Sequence, residues 1–199
     1  MTILDAKRKF VIETATGLFL ERPVGAVTVK DIAAASGLGE ATIYRYFSGK
    51  GELLVACALS LQEKIVGLFE DQGTPDGFSG LARFYRAYLE TFRNSPELYR
   101  FLSEFDAYCH NGGVDLEEYA DNIDRFKGAF TAAYERGLSD GSVRNVENVS
   151  LFYYSTAHAL LALCKKLAAE GTLIRQDYST DRAAEVETLI ELILSSLKA

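Results

Sequence analysis

Apolar residues recur three and four positions apart along almost the whole chain, the spacing of one face of an α-helix. Val11, Ala15, Leu18 and Phe19 form such a stripe over residues 4–21, and Arg22-Pro23 and Gly25 end it. Ile32, Ala33 and Ala35 give a short apolar side, and Ile43 and Phe47 give another four residues apart. A longer stripe runs through Leu53, Leu54, Ala58, Leu61, Ile65, Leu68 and Phe69 to about residue 71, with Ser48 as its predicted N-cap. Residues 72–77, rich in glycine and turn formers, read as a junction. Beyond it come Leu81, Phe84, Tyr85, Tyr88, Leu89 and Phe92. Ser95-Pro96 restarts the chain, serine as N-cap and proline at the first helical position. Leu98, Phe101, Leu102, Phe105 and Tyr108 follow, then Tyr119, Ile123, Phe126, Phe130, Ala133, Tyr134 and Leu138. Residues 147–170 are apolar almost all round from Leu151 to Leu167, so that helix is expected to be covered on both sides. Residues 171–179 connect it to a last stripe, Val186, Leu189, Ile190, Ile193, Leu194 and Leu197. No stretch alternates in the manner of a strand, and no internal repeat is present. The pattern predicts an all-α chain of nine helices.

Residues 28–50 carry the most specific local signal. Thr28-x-x-Asp31 fits a capping box, in which each side chain satisfies the other residue's backbone N–H. Ser36-Gly37-Leu38-Gly39 breaks the helix, and Gly37 is the residue type best able to take a positive φ there. Leu38 is placed to fill the space before a second helix over residues 40–47. That helix turns Ile43 and Phe47 inward and leaves Glu40, Ala41, Thr42, Arg45 and Tyr46 on the other face. Two short helices joined this way make a helix-turn-helix, whose second helix enters the DNA major groove.

With Arg8-x-x-Val11-Ile12-x-x-Ala15-x-x-Leu18-Phe19 upstream and Tyr44-x-Tyr46-Phe47-x-x-Lys50-x-x-Leu53 downstream, the segment resembles the DNA-binding domain of the tetracycline-repressor (TetR) family of transcription regulators. The resemblance implies a nine-helix architecture. Residues 1–50 would form a three-helix head, and residues 51–199 a helical body for effector binding and dimerisation. Gly39 stands where that family often has serine, so the N-cap of the second helix is weaker. Gly51 replaces a commonly acidic residue.

Net charge is −7, which runs against a DNA partner until its distribution is read. Residues 1–50 hold seven basic and five acidic groups, the remainder 14 basic and 23 acidic. An acidic body repels phosphate and favours docking by the N-terminal end. Cys57, Cys109 and Cys164 form neither a disulfide framework nor a metal spacing, which points to a reducing cytoplasm. The apolar run around Ala159–Cys164 is too short to span a bilayer. His110 and His158 lie far apart in the chain, and no metal or cofactor is expected. Glu104 and Asp106, two apart, fall on different helix faces, and no nucleophile–base arrangement is legible, so an enzyme is not expected.

A hydroxyl, a phenol and an ammonium bind phosphate without reading sequence, and Thr28, Tyr44 and Lys50 are the candidates. Lys30, Glu40, Ala41, Thr42, Arg45 and Tyr46 match positions that face bases in the family. Glu40 is suited to accept from cytosine, and Ala41 or Thr42 to pack on a thymine methyl. For Tyr44, Tyr46 and Phe47 plain packing is the competing reading, accepted for Phe47. Aromatic residues crowd the body, and an effector pocket is expected among Phe84, Tyr88, Phe101, Glu104, Phe105, Tyr108, Phe126, Phe130, Tyr154 and His158, apolar walls with a few polar anchors. Such aromatics serve as core as readily as pocket, and His158 fits a core histidine equally. The resemblance implies pairing of the last two helices with their counterparts, through Leu160, Leu163, Leu189, Ile193 and Leu197. The function implied is a ligand-responsive regulator, most simply a repressor. It would bind a near-palindromic operator as a homodimer and be released by a small, largely apolar or aromatic effector. A helical small-molecule or protein-binding module whose head has lost DNA affinity stands as the alternative.

Overall fold

The computed structural model describes residues 3–111, 113–169 and 181–199. Among the described residues are nine α-helices and one short 3-10 turn. They are α1 Ile3–Glu21, the turn Val24–Ala26, α2 Val29–Ser36, α3 Glu40–Tyr46, α4 Lys50–Phe69, α5 Gly77–Asn94, α6 Pro96–Asn111, α7 Glu117–Asp140, α8 Val149–Ala168 and α9 Arg182–Ser195. Extended pairing among them is confined to an isolated bridge between Val143 and Lys198. The expected connector over residues 171–179 lies outside the described residues. The chain divides into two compact units, residues 1–64 with 100–122, and residues 65–99 with 123–199. The boundary expected at residue 50 falls inside the first unit, where α4 begins.

In the first unit, Val11, Ala15 and Phe19 of α1, Ile32 of α2, Ile43 of α3, Phe47 just beyond it, and Leu53, Leu54 and Cys57 of α4 are buried to the last per cent. Each large member contributes about 1.5–3 kcal/mol over leaving it in water. Ala33 joins them, whereas Ala35, expected on the same side, is exposed. Phe101 and Phe105 of α6 continue this core, Phe101 at 6.1 Å from Phe19 and Phe105 at 5.0 Å from the Tyr119 ring.

In the second unit, α5 buries Leu81, Phe84, Tyr85, Tyr88, Leu89 and Phe92 along one side. Asp76 caps this helix by accepting from the Ser79 N–H at 2.7 Å. The start of α5 meets α7 backbone to backbone. A Cβ on Gly77 would stand 2.1 Å from the Gly137 nitrogen, so glycine is required by space at this crossing. The contact is fastened by Gly77 N–H to Asp140 at 2.8 Å and Phe78 N–H to Ser142 at 3.0 Å. α8 starts two residues later than the pattern suggested, capped by Asn148, which accepts from Leu151 N–H at 2.9 Å. α9 begins behind Asp181, which accepts from Ala183 N–H at 2.9 Å. The α5–α9 ion pairs Arg86–Glu191 and Arg93–Glu187, both 3.1 Å, are solvent-exposed and add little.

Candidate nucleic-acid interface

The helix-turn-helix forms as its residues dictate. Asp31 N–H donates to Thr28 Oγ1 at 3.2 Å, and Thr28 N–H donates to Asp31 Oδ2 at 2.8 Å, closing the capping box. Thr28 Oγ1 also donates to Asp31 at 2.7 Å. That hydroxyl, ahead of the backbone N–H, holds the Asp31 carboxyl below the usual carboxylate range. Gly37 ends α2 with φ 67°, and Leu38 N–H returns to the Ala33 carbonyl at 3.0 Å. A residue with a Cβ is disfavoured at that φ. Gly39 precedes α3 with no side-chain cap, so the first turn of α3 presents unpaired N–H groups to whatever lies before it. At the next junction Gly49, not Ser48, is the residue immediately before α4. Ser48 N–H is instead taken by Glu52 at 2.7 Å.

α3 buries Ile43, and Phe47 just beyond it, while Glu40, Ala41, Tyr44 and Arg45 are exposed and Thr42 half-exposed. Tyr44 leaves 52% of its surface in solvent. Lys30 on α2 is exposed as well. Five of the six residues assigned to base contact, together with Tyr44, thus stand on accessible surface of one short helical pair. Tyr46 differs. It is half-buried, its hydroxyl is enclosed without a partner, and the Arg45 guanidinium lies 5.4 Å from its ring.

Two expected phosphate contacts are already engaged. The single hydroxyl proton and the N–H of Thr28 both go to Asp31, which leaves that residue no free donor. Lys50 Nζ donates to the Val24 carbonyl. Burial lowers the Lys50 pKa from its ordinary value, opposed by the Glu104 carboxylate. Sequence reasoning missed this arrangement, because Val24 and Glu104 are remote from Lys50 in the chain. Nor did it foresee that the Arg8 guanidinium covers the Phe47 ring at 5.0 Å, or that Arg22 donates to the Ala26 carbonyl at 2.8 Å.

The residues proposed for an effector pocket separate into two groups. Phe101, Glu104, Phe105 and Tyr108 belong to the first unit, the other six to the second. Glu104 accepts from Val24 N–H and from Arg100, so it is committed within the protein. Tyr108 lines a half-open groove of about 540 Å³ with Gly51, Val55, Leu59 and Val114. Phe84, Tyr88, Phe126 and Phe130 form an aromatic cluster around Phe69, Tyr85 and Tyr153, with Phe69–Phe126 edge-to-face at 4.9 Å and Phe130–Tyr153 tilted at 5.1 Å. Burial pushes Tyr153 up to about 12. Tyr154 and His158 lie on the outer side of α8. Both are exposed, their rings are 5.8 Å apart, and Lys127 donates to the Tyr154 hydroxyl at 3.1 Å.

The dimer residues also separate. Leu160, Ile193 and Leu197 are buried within the single chain, and Leu163 and Leu189 are half-buried. The apolar surface that α8 and α9 leave in solvent is instead Leu151 at 62%, Leu192 at 63% and Tyr154 at 40% exposure. The all-round apolar pattern of α8 therefore includes one face that its own chain does not cover.

Among the described residues no group of three or more His, Cys, Asp or Glu side chains is placed to hold a metal, and no helix is long and apolar enough to cross a membrane.

Residues 11–57 match the sequence model of the family described as bacterial regulatory proteins, tetR family. Over 87 residues the chain is 31% identical to the HTH-type transcriptional regulator AlkX of Mycobacterium tuberculosis. That stretch is 44% of this chain and spans 39% of the relative's length. The fold matches a TetR family transcriptional regulator, PfmR from Thermus thermophilus, with a TM-score of 0.66 and 25% identity, over 95% of this chain and 99% of that one. It also matches a TetR family transcription regulator from Marinobacter aquaeolei, with a TM-score of 0.61 and 22% identity, over 98% and 96% of the two chains. Each of these relatives is described as a transcriptional regulator. The helix-turn-helix geometry, the family match over residues 11–57 and the all-helical fold make the chain similar to TetR-family transcriptional regulators, most specifically over its DNA-binding segment.

Proposed function

We propose that this chain represses transcription by binding a near-palindromic operator as a homodimer, and that a small, largely apolar or aromatic effector releases it. The observation that carries the reading is the accessible face of α3, whose Glu40, Ala41, Tyr44 and Arg45 are exposed while Ile43 and Phe47 are buried. A recognition helix needs that division, one side anchored and one side free for base edges. Glu40, Ala41 and Thr42 would read bases, Lys30 and Arg45 would flank them, and Tyr44 would bond phosphate. Lys50 and Thr28 would support the head from within. Pairing is supported by the uncovered apolar residues of α8 and α9, a surface a second copy would bury. Effector binding is supported by the aromatic clusters, whose repacking around a ligand would favour one dimer geometry over another. Such a switch needs differential affinity of on the order of 1–3 kcal/mol.

The test is a gel-shift titration with DNA from upstream of the chain's own gene against random DNA. Retardation of the upstream fragment alone, with a sequence preference altered by Thr42→Ala, is the expected result. Equal retardation of both fragments, or none, would remove the assignment.

A further inference from the structure

The backbone that leaves α1 and enters α2 is held by side chains from elsewhere. At the end of α1, the Phe19 and Leu20 carbonyls have no following turn to bond, as at any helix C-terminus. Arg100 of α6 donates to both. In the 3-10 turn, the Val24 N–H goes to Glu104, one turn further along α6. The Val24 carbonyl takes the Lys50 ammonium from the start of α4. Arg100 and Glu104 also pair with each other at 3.3 Å, with 15% and 29% of their side chains exposed. Pro23 has no N–H to offer, and the linker pairs little of its own backbone besides Ala26 N–H to Pro23 at 2.9 Å and Val27 N–H to Val24 at 3.4 Å. All these groups belong to the first compact unit.

We propose that Arg100 and Glu104 are positioning residues for the DNA-binding head: from α6 they hold the 19–24 linker and so set the entry angle of α2 and, through it, of α3. This rests on the reading of α3 as the DNA-facing helix. Charge-assisted bonds to backbone groups are stronger and more directional than neutral ones, which suits a fixed angle rather than general cohesion. Neither residue touches the exposed face of α3, so neither supplies a DNA contact. Their loss disorders the angle and spares the chemistry of the face. Whatever moves α6 moves the linker with it.

The experiment compares the full-length chain with E104A, E104Q and R100K. It reads affinity for upstream DNA, affinity for random DNA, the salt slope of each, and hydrogen exchange of the 19–27 peptide. Leaving the Val24 donor unpaired in E104A is expected to cost about tenfold in upstream affinity, with random-DNA affinity and salt slope unchanged. E104Q keeps an oxygen for that donor and is expected to restore most of the loss. R100K keeps the charge but loses the fork that spans two carbonyls, and falls between. Parallel loss for both DNAs without rescue by E104Q overturns the proposal. If E104A does not fold, R100K still decides: unchanged upstream affinity together with fast exchange of residues 22–26 in the unaltered chain overturns it. An unaltered chain that does not discriminate the two DNAs overturns instead the reading of α3.

Discussion

Replacing Thr28 by alanine removes one half of the capping box, and replacing Asp31 removes the other. α2 has only eight residues, well below the length at which a helix sustains itself in water, so its cap carries an unusual share of its stability. Thr28→Ala loses the acceptor for Asp31 N–H at 3.2 Å, a change that typically costs about 1 kcal/mol. Asp31→Ala loses the acceptor for the Thr28 N–H and hydroxyl and a negative charge at a helix N-terminus, and is expected to destabilise in the same direction. The two are not independent, because either mutation alone already abolishes the bond between the Thr28 hydroxyl and the Asp31 carboxylate. The double variant is therefore expected to lose measurably less than the sum of the two single losses. Urea denaturation of the four proteins measures the cycle, and titration of upstream DNA shows whether α3 suffers with its support. The Asp31 carboxyl lies below its ordinary value of 3.8, so the stability it gives is present above that pH and lost as pH falls through its folded value. The Asp31→Ala protein should accordingly lose less on the acid side than the unaltered one. Additive losses, or no loss from either single change, would refute the reasoning.

Gly77→Ala is expected to cost about 3 kcal/mol or more, because the new methyl meets Gly137 N and Cα at 2.1 and 2.3 Å and Ala133 O at 2.6 Å, all backbone atoms unable to yield. A loss below about 1 kcal/mol by urea denaturation would contradict that crossing. Burial pushes the Cys57 thiol from 9.0 up to about 12 and Cys164 likewise, so the fold favours their protonated forms. That stability is fully present below pH 9.0 and drains away as pH rises towards about 12. The melting temperature should fall across this interval and fall less in Cys57→Ala, whereas a flat profile would contradict the burial. Lys50→Ala is expected to weaken DNA binding without lowering the salt slope, since its ammonium is turned onto the Val24 carbonyl of its own chain. A slope reduced by about 1.8, one phosphate contact from each copy of a dimer, would return Lys50 to the DNA.

How much could be read from residues alone depended on sequence separation. The capping box, the Gly37 turn and the inward pair Ile43 and Phe47 are encoded within a few positions of one another, and they stand where the pattern put them. The outward face of α3 followed from the same local geometry. α8 was harder because nearly every position is apolar, so periodicity could not choose a face. Tertiary packing takes Tyr153 inside and leaves the adjacent Tyr154 outside, and buries Leu160 while Leu151 stays in water. The grip of Arg100 and Glu104 on the linker spans about 80 positions and carries no local mark. A sequence shows charged residues on α6 but not the orphan carbonyls they meet. Nor does the sequence around Lys50 or Glu104 show that both meet the Val24 backbone.

Hydroxyl-radical footprinting of the full-length chain on DNA from upstream of its gene tests the central claim most directly. Two protected patches on one face of the duplex, centred about one helical turn (roughly 34–36 Å) apart and both lost in a chain carrying Glu40→Ala, Thr42→Ala and Tyr44→Ala, are the outcome predicted for paired α3 helices. A single patch, protection spread evenly along the fragment, or a footprint that survives those three changes would contradict it.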